Sequence, residues 1–386
     1  MLVYAVRPGW TASTGILCRT LCPHILRSHV IMRILLLSLT VSGLLPCRLP
    51  ADDPNLATMR EQAVRFLRVT QNTDGSWTEN RMVGVTGLVT ASLLRSGLPA
   101  EDPLVEAGLN NLLSHSQADG GFYAAGSVHR NYETCITVLA LSAANTDHRF
   151  DKPIKQAQGF LRELQWDEGE GIESSDPAYG GGGYGSHQRP DLSNTQFMLE
   201  AFKKSGMKAD DPAMQRILVF LSRTQNLEGL GNDTIFAGKI GDGGFYYTPA
   251  AGGDSKAGVT DNGGLRSYGS MTYAGLKSLI YAGLDKRDPR VQAATDWIRR
   301  NYTLAENPGM GRQGLFYYFH TFAKTMDVID EQEFQDAAGN SHDWRTELIQ
   351  RLAALQQPNG SWINPADRWY EGDPNLVTAY CLMALS

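Results

Sequence analysis

Cysteine is scarce beyond the first fifty-one residues. Of five cysteines in 386 residues, three (Cys18, Cys22 and Cys47) fall in that opening stretch, which leaves Cys135 and Cys381 for the rest. Two thiols are too few for a disulfide-stapled scaffold. Charge is also sparse, at 20% of residues against 42% hydrophobic, which excludes a disordered chain and allows a sizeable core. The opening stretch has no acid. Its five arginines are Arg7, Arg19, Arg27, Arg33 and Arg48. Without them, 30 basic residues face 41 acidic ones, a formal balance of −11. That deficit of positive charge argues against a nucleic-acid partner.

Residues 1–51 read as a leader. Met32-Arg33 followed by the apolar run Ile34 to Leu45 gives a positive and then a hydrophobic region, and Leu49-Pro50-Ala51 suits cleavage. The run is too short to span a bilayer. Met32 is the expected true start, and an exported, periplasmic or extracellular, mature chain 52–386 follows. Leu44-Leu45-Pro46-Cys47 resembles a bacterial lipoprotein box, with Pro46 a departure; lipid anchoring at Cys47 is the minor alternative.

What remains is repetitive. Ala63-x-x-Phe66-Leu67-x-x-x-Gln71-x-x-x-Gly75-x-Trp77 is the first of six imperfect copies. Further copies carry Leu112-Leu113 with Gln117, Phe160-Leu161 with Gln165, and Phe220-Leu221 with Gln225. The fifth has Trp297-Ile298 with Tyr302 in place of glutamine, and the sixth has Leu352, Gln356, Gly360 and Trp362. Each repeat predicts two helices. Thr86, Thr134, Thr195 and Thr272 stand eleven residues before Gly97, Asn145, Gly206 and Gly283, which suit left-handed caps. Asp102-Pro103, Asp211-Pro212 and Asp288-Pro289 read as helix starts. The second helices are apolar and rich in small residues, so they form the inner layer, with the more charged first helices outside. Cys135 and Cys381 then fall in repeats two and six, which are not neighbours in a closed ring, and no structural disulfide is expected.

These motifs resemble the QW repeat of the squalene–hopene cyclase and protein prenyltransferase superfamily, roughly [Gly/Ala]-x-x-[aromatic]-Leu-x-x-x-Gln-x-x-x-Gly-x-Trp. The resemblance spans about residues 56–386. It implies a single all-α (α/α)6 toroid with an apolar central cavity. It also implies that Gln71, Trp77, Gln356 and Trp362 are structural, each glutamine tying its helix end to the aromatic of the turn.

The catalytic signatures of that superfamily are incomplete. Class II terpene cyclases use Asp-x-Asp-Asp-Thr at an inner-helix start, and the nearest stretch, Arg130-Asn131-Tyr132-Glu133-Thr134, keeps one carboxylate, Glu133. Protonating an alkene needs a clustered, unusually strong acid. Prenyltransferase subunits hold zinc with Asp-x-Cys and a histidine. Glu133-x-Cys135 with His320 imitates that set, and a buried cysteine beside a capping glutamate is the favoured structural reading. The Cys-Gly-Glu-Gln motif of thioester toroids is absent.

Two regions are richer in polar and aromatic groups than packing requires. In Gly314 to Lys324, His320 and Lys324 share a helix face beside Tyr317 and Tyr318, an arrangement suited to anion binding or acid–base work. The competing reading is an aromatic helix with a satisfied histidine. In the second region, Asp343-Trp344-Arg345 and Trp369 to Asp373, Asp373 reads as a helix cap and Arg345–Glu371 as an ion pair closing the ring. Arg266, Tyr268 and Asp242 join a pocket mouth. The glycine run 180–183 lacks the Gly-Lys-[Ser/Thr] ending of a phosphate loop.

The leading expectation is a terpenoid-cyclase/prenyltransferase-like protein that binds or transforms an isoprenoid. His320, Glu133 and Tyr318 are its catalytic candidates. Tyr317, Lys324, Arg266, Tyr268, Trp344 and Trp369 are its substrate-binding candidates, and Cys135, Glu133 and His320 its zinc candidates. The alternatives are a non-catalytic scaffold for a protein or peptide, and a carbohydrate-active toroid, for which Asp242 with Glu371 is the nominated carboxylate pair.

Overall fold

A computed structural model describes residues 54–185, 189–331 and 333–386. The leader, Met32 and Cys47 lie outside the described residues.

Twelve α-helices alternate along the described chain. The first of each pair are α1 (Pro54–Thr70), α3 (Pro103–Ser114), α5 (Asp151–Arg162), α7 (Pro212–Arg223), α9 (Pro289–Arg300) and α11 (Trp344–Leu355). The second are α2 (Val83–Arg95), α4 (Arg130–Ala144), α6 (Leu192–Lys204), α8 (Gly269–Tyr281), α10 (Leu315–Ile329) and α12 (Pro374–Ala384). The second helices pack in the order α2–α4–α6–α8–α10–α12, and α12 packs back on α2, which closes an inner ring. Residues Val83 to Leu93 of α2 are all buried, as an inner-layer helix requires. A two-residue hairpin, β1 (Phe334–Gln335) with β2 (Ser341–His342), precedes α11. Among the described residues no helix is long and apolar enough to cross a membrane.

The repeat residues build this ring through hydrogen bonds. Gln71 Nε2 donates to the carbonyls of Gly75 (3.1 Å) and Leu104 (3.0 Å), so it joins its own turn to the next outer helix. Gln165 does the same with Gly180 and Ala213, and Gln225 with Gly243 and Arg290. The aromatic is tied separately: the Nε1 atoms of Trp77 and Trp362 donate to Leu67 and Leu352 carbonyls, each at 2.8 Å. The expected glutamine-to-aromatic link is thus corrected, because the amide's two donors match backbone carbonyls better than an indole face. Gly75 has φ +83°, and a side chain there would strike the carbonyl of Ala107 on the neighbouring helix.

The threonines are structural as well. Thr86, Thr134 and Thr272 accept from the N–H groups of Trp77, Phe122 and Phe245, binding each turn to its inner helix. Asp102, Asp211 and Asp288 cap α3, α7 and α9 ahead of a proline. Gly97, Gly206 and Gly283 have the positive φ of left-handed caps. Asn145 departs, at φ −90°, because its Oδ1 instead accepts from Phe150 N–H.

Candidate functional site

The inner helices all run the same way, so their N-terminal ends converge on one mouth. A cleft of about 520 Å³ opens there, lined by Tyr184, Arg189, Asp191, Tyr247, Ala251, Lys256 and Trp369. Asp191 is the N-cap of α6. Its Oδ1 accepts from Asn194 N–H (2.9 Å) and its Oδ2 from Asn194 Nδ2 (2.8 Å). Only 1% of Asp191 is exposed, and burial raises its carboxyl above the usual range against those hydrogen bonds and the charge of Arg189. Tyr247 stands beside the carboxyl and lines the same cleft. Arg189 and Lys256 lie over the Tyr247 ring, at 5.1 and 4.6 Å from its centroid, and both pair with Asp254. The cleft therefore holds two cations, both paired with Asp254, and a carboxyl pushed toward neutrality, on an aromatic lining.

Below the cleft, aromatic side chains of the inner helices meet. Phe197 meets Tyr132 and Tyr317 at centroid distances of 5.4 and 6.3 Å, and Tyr317 meets Tyr380 at 5.8 Å. These aromatic side chains stand at mid-depth, below the polar, aromatic-walled mouth.

Three of the candidates fall at this mouth. Trp369 lines the cleft. It is 43% exposed and held at φ +60°. Tyr268 takes the N-cap position of α8, and Tyr317 reaches Ser193 Oγ at 3.1 Å; burial, with a smaller contribution from the charge of Asp191, raises the hydroxyl pKa of both.

The others lie elsewhere. Tyr318 is fully buried and donates to Thr303 carbonyl (2.7 Å), between the two helix layers. Trp344 packs on Phe322 at the start of α11, and exposed Arg266 donates to Val259 carbonyl. His320 is buried against Tyr380, and burial holds its imidazole neutral, well below the usual range. Lys324 lies further along the same helix, toward its C-terminal end. Glu133 holds the preceding turn by accepting from Ala124 N–H (3.2 Å) and Ser127 Oγ (2.9 Å).

The proposed zinc set does not fit. Cys135 Sγ is buried against Asn131 Oδ1, Glu133 is engaged in its turn, and no three His, Cys, Asp or Glu side chains among the described residues form a metal-binding group. Cys135 and Cys381 are both free and buried. Arg345 pairs with Asp327, not Glu371. Glu371 instead accepts from Tyr317 N–H at the start of α10 (2.7 Å) and from Asn364 Nδ2 (2.6 Å). Asp242 is bound to Ser267 and Trp297, so the two nominated carboxylates serve different joints. Asp373 caps α12 as expected.

Asp191 was legible in principle. It stands four residues before Thr195, the spacing between first carboxylate and threonine in Asp-x-Asp-Asp-Thr, with Ser193 and Asn194 at the other two acidic positions. Arg189, Tyr247 and Lys256 lie on loops whose convergence no local pattern reveals.

Residues 79–249 match the family model of the squalene-hopene cyclase C-terminal domain. In fold the chain is similar to type II terpene cyclase MstE from Scytonema, at TM-score 0.52 and 14% identity, covering 87% of this chain and 98% of that one. A substrate complex of a variant of that enzyme, with geranylgeranyl dihydroxybenzoate, aligns at TM-score 0.53 and 14% identity, covering 86% and 96%. A glycoside hydrolase family 76 mannosidase, Bt3792 from Bacteroides thetaiotaomicron VPI-5482, aligns at 0.50 and 12%, covering 85% and 98%. A comparison with curated proteins finds no match. The chain thus has an all-α toroid fold, similar to that of the type II terpene cyclases, and part of it resembles the squalene-hopene cyclase C-terminal domain.

Proposed function

We propose that this exported toroid binds an oxygen-bearing isoprenoid at the N-terminal mouth, with Asp191 facing the oxygen. The observation that carries this reading is a single buried carboxyl, kept toward its neutral form, in an aromatic cleft. Tyr184, Tyr247 and Trp369 offer ring faces to a polyene chain and to any positive charge that develops on it. A carboxyl raised by burial is a weak acid. It suits hydrogen-bond or proton donation to a hydroxyl or epoxide oxygen, which is far more basic than an alkene carbon. Ser193 and Asn194 add no acidity, so a cyclase-type protonation of a bare alkene is disfavoured.

Titration of the full chain with geranylgeraniol and with squalene, followed by tryptophan fluorescence, tests the reading. Saturable geranylgeraniol binding, weakened at least tenfold in Asp191→Asn and Trp369→Ala and weaker still for squalene, is expected. No saturation by either lipid would overturn it.

A carbohydrate reading has one observation in its favour: beside the raised carboxyl of Asp191 stands a second carboxylate, Asp254, paired with the cleft residues Arg189 and Lys256. Release of sugar from mannan oligosaccharides, lost in Asp191→Asn, would select it over the isoprenoid.

A further inference from the structure

The opposite mouth, where the inner helices end, holds a second polar cluster that the cleft chemistry does not use. Glu200 on α6 and Lys277 on α8 form a fully buried pair, Nζ to Oε2 at 2.8 Å, and Gln196 Oε1 accepts from the same ammonium at 2.7 Å. Arg95, the last residue of α2, approaches Glu200 only to 3.7 Å. Lys324 of α10 is 9% exposed and has no hydrogen-bond or ion-pair partner among the described residues. Lys204, the last residue of α6, is exposed and equally unpaired, and it feels the charge of Arg95. Asp327, the nearest other acid, is engaged by Arg345. His320, below Lys324, is neutral and its buried Nδ1 is unpartnered; Ser142 Oγ of α4 is likewise buried and unpartnered.

Charge is therefore unbalanced at this end. Arg95, Lys204, Lys277 and Lys324 stand against two carboxylates, Glu200 and Asp327, already engaged by Lys277 and Arg345, and against the partial negative charge of the helix C-termini. Exposure falls inward, from exposed Lys204, through Arg95 with 21% of its side chain accessible, to Lys324 and then Lys277. The Lys324 ammonium is not among the sealed unpartnered atoms, so a small anion can reach it, and a largely buried ammonium gains from such a partner.

We infer that Arg95, Lys204 and Lys324 form a binding site for a small anionic group, a carboxylate or a phosphate, at the C-terminal mouth of the ring. A planar guanidinium and two flexible ammoniums suit either group: the first by a bidentate fork, the others as point charges. The site lies at the other end of the ring from the cleft and does not depend on the isoprenoid reading.

The test is calorimetric titration of the full chain with inorganic phosphate and, separately, with succinate. One saturable site is expected for one of the two, which identifies the anion class. Lys324→Met should weaken it at least tenfold while leaving the melting temperature unchanged or raised, since the lysine makes no bond that the fold would lose. Arg95→Gln, at a more exposed position, should weaken it similarly, and Asp191→Asn should leave it intact. Absence of saturation by both anions would overturn the inference. So would affinities that stay unchanged in both variants, or a Lys324→Met chain that binds normally and melts lower.

Discussion

Gln356 in the last repeat donates its side-chain amide to the carbonyl of Met59 in the first, at 3.0 Å, across 297 positions of sequence. The same amide holds Gly360 carbonyl at 2.9 Å, so one side chain stitches the seam at which the ring closes. In the middle of the chain Gln165 and Gln225 make the same stitch between covalently linked repeats. Only at Gln356 does it join the two ends.

Gln356→Ala should therefore cost stability. Two backbone carbonyls lose their donor at a part-buried joint, worth about 1–3 kcal/mol. Urea unfolding of the variant against the parent chain measures it. A change within about 0.5 kcal/mol would show that the seam is held by packing of α1 on α11 and α12 alone.

Glu371 gives a pH dependence of defined sign. Burial raises its carboxyl to about 7 in the folded ring, against an ordinary value near 4.5. Between those values the unfolded chain ionises first while the folded one keeps its proton. This contribution to stability is full below about 4.5, falls as pH rises, and levels off above 7. The total is on the order of 3 kcal/mol. Urea midpoints between pH 5 and 8 should show that decline, and Glu371→Gln should flatten it. A parent and variant with parallel pH profiles would contradict the assignment.

The buried pair Glu200–Lys277 predicts a non-additive result. Glu200→Gln leaves the Lys277 ammonium without its carboxylate at 0% exposure and should destabilise by roughly 3–5 kcal/mol. Glu200→Leu with Lys277→Met, which removes both charges, should cost much less. Equal losses in the single and double variants would mean the pair contributes through shape alone.

Glu133 tests the difference between a turn anchor and a metal ligand. Glu133→Ala removes the acceptor for Ala124 N–H and Ser127 Oγ and should lower stability by about 1–3 kcal/mol, with no change on adding zinc. A melting temperature that rises with zinc in the parent and not in the variant would restore the metal reading.

The ring was legible because its joints are local and repeated. Gln71, Trp77 and Thr86 lie within one repeat, and their spacing recurs wherever a turn must meet two helices. The Asp-Pro caps are equally local. The cleft was not legible in the same way. Asp191 sits at an inner-helix start, but Arg189, Tyr247, Lys256 and Trp369 come from separate loops that only ring closure brings together. His320 and Lys324 were visible as a helix face. A period of 3.6 residues fixes which side of α10 faces the axis, not how deep along the axis each residue lies. Tyr317, at the start of that helix, touches Ser193 near the N-terminal mouth; Lys324, seven residues on, lies toward the other mouth.

Mass spectrometry of what the natively purified chain carries is the most direct test of the cleft's role. An isoprenoid site predicts a co-purifying terpenoid bearing a hydroxyl, epoxide or carbonyl oxygen, near one per chain, and absent from Asp191→Asn and Trp369→Ala. A chain that carries no terpenoid and takes up none when offered geranylgeraniol in excess would contradict it.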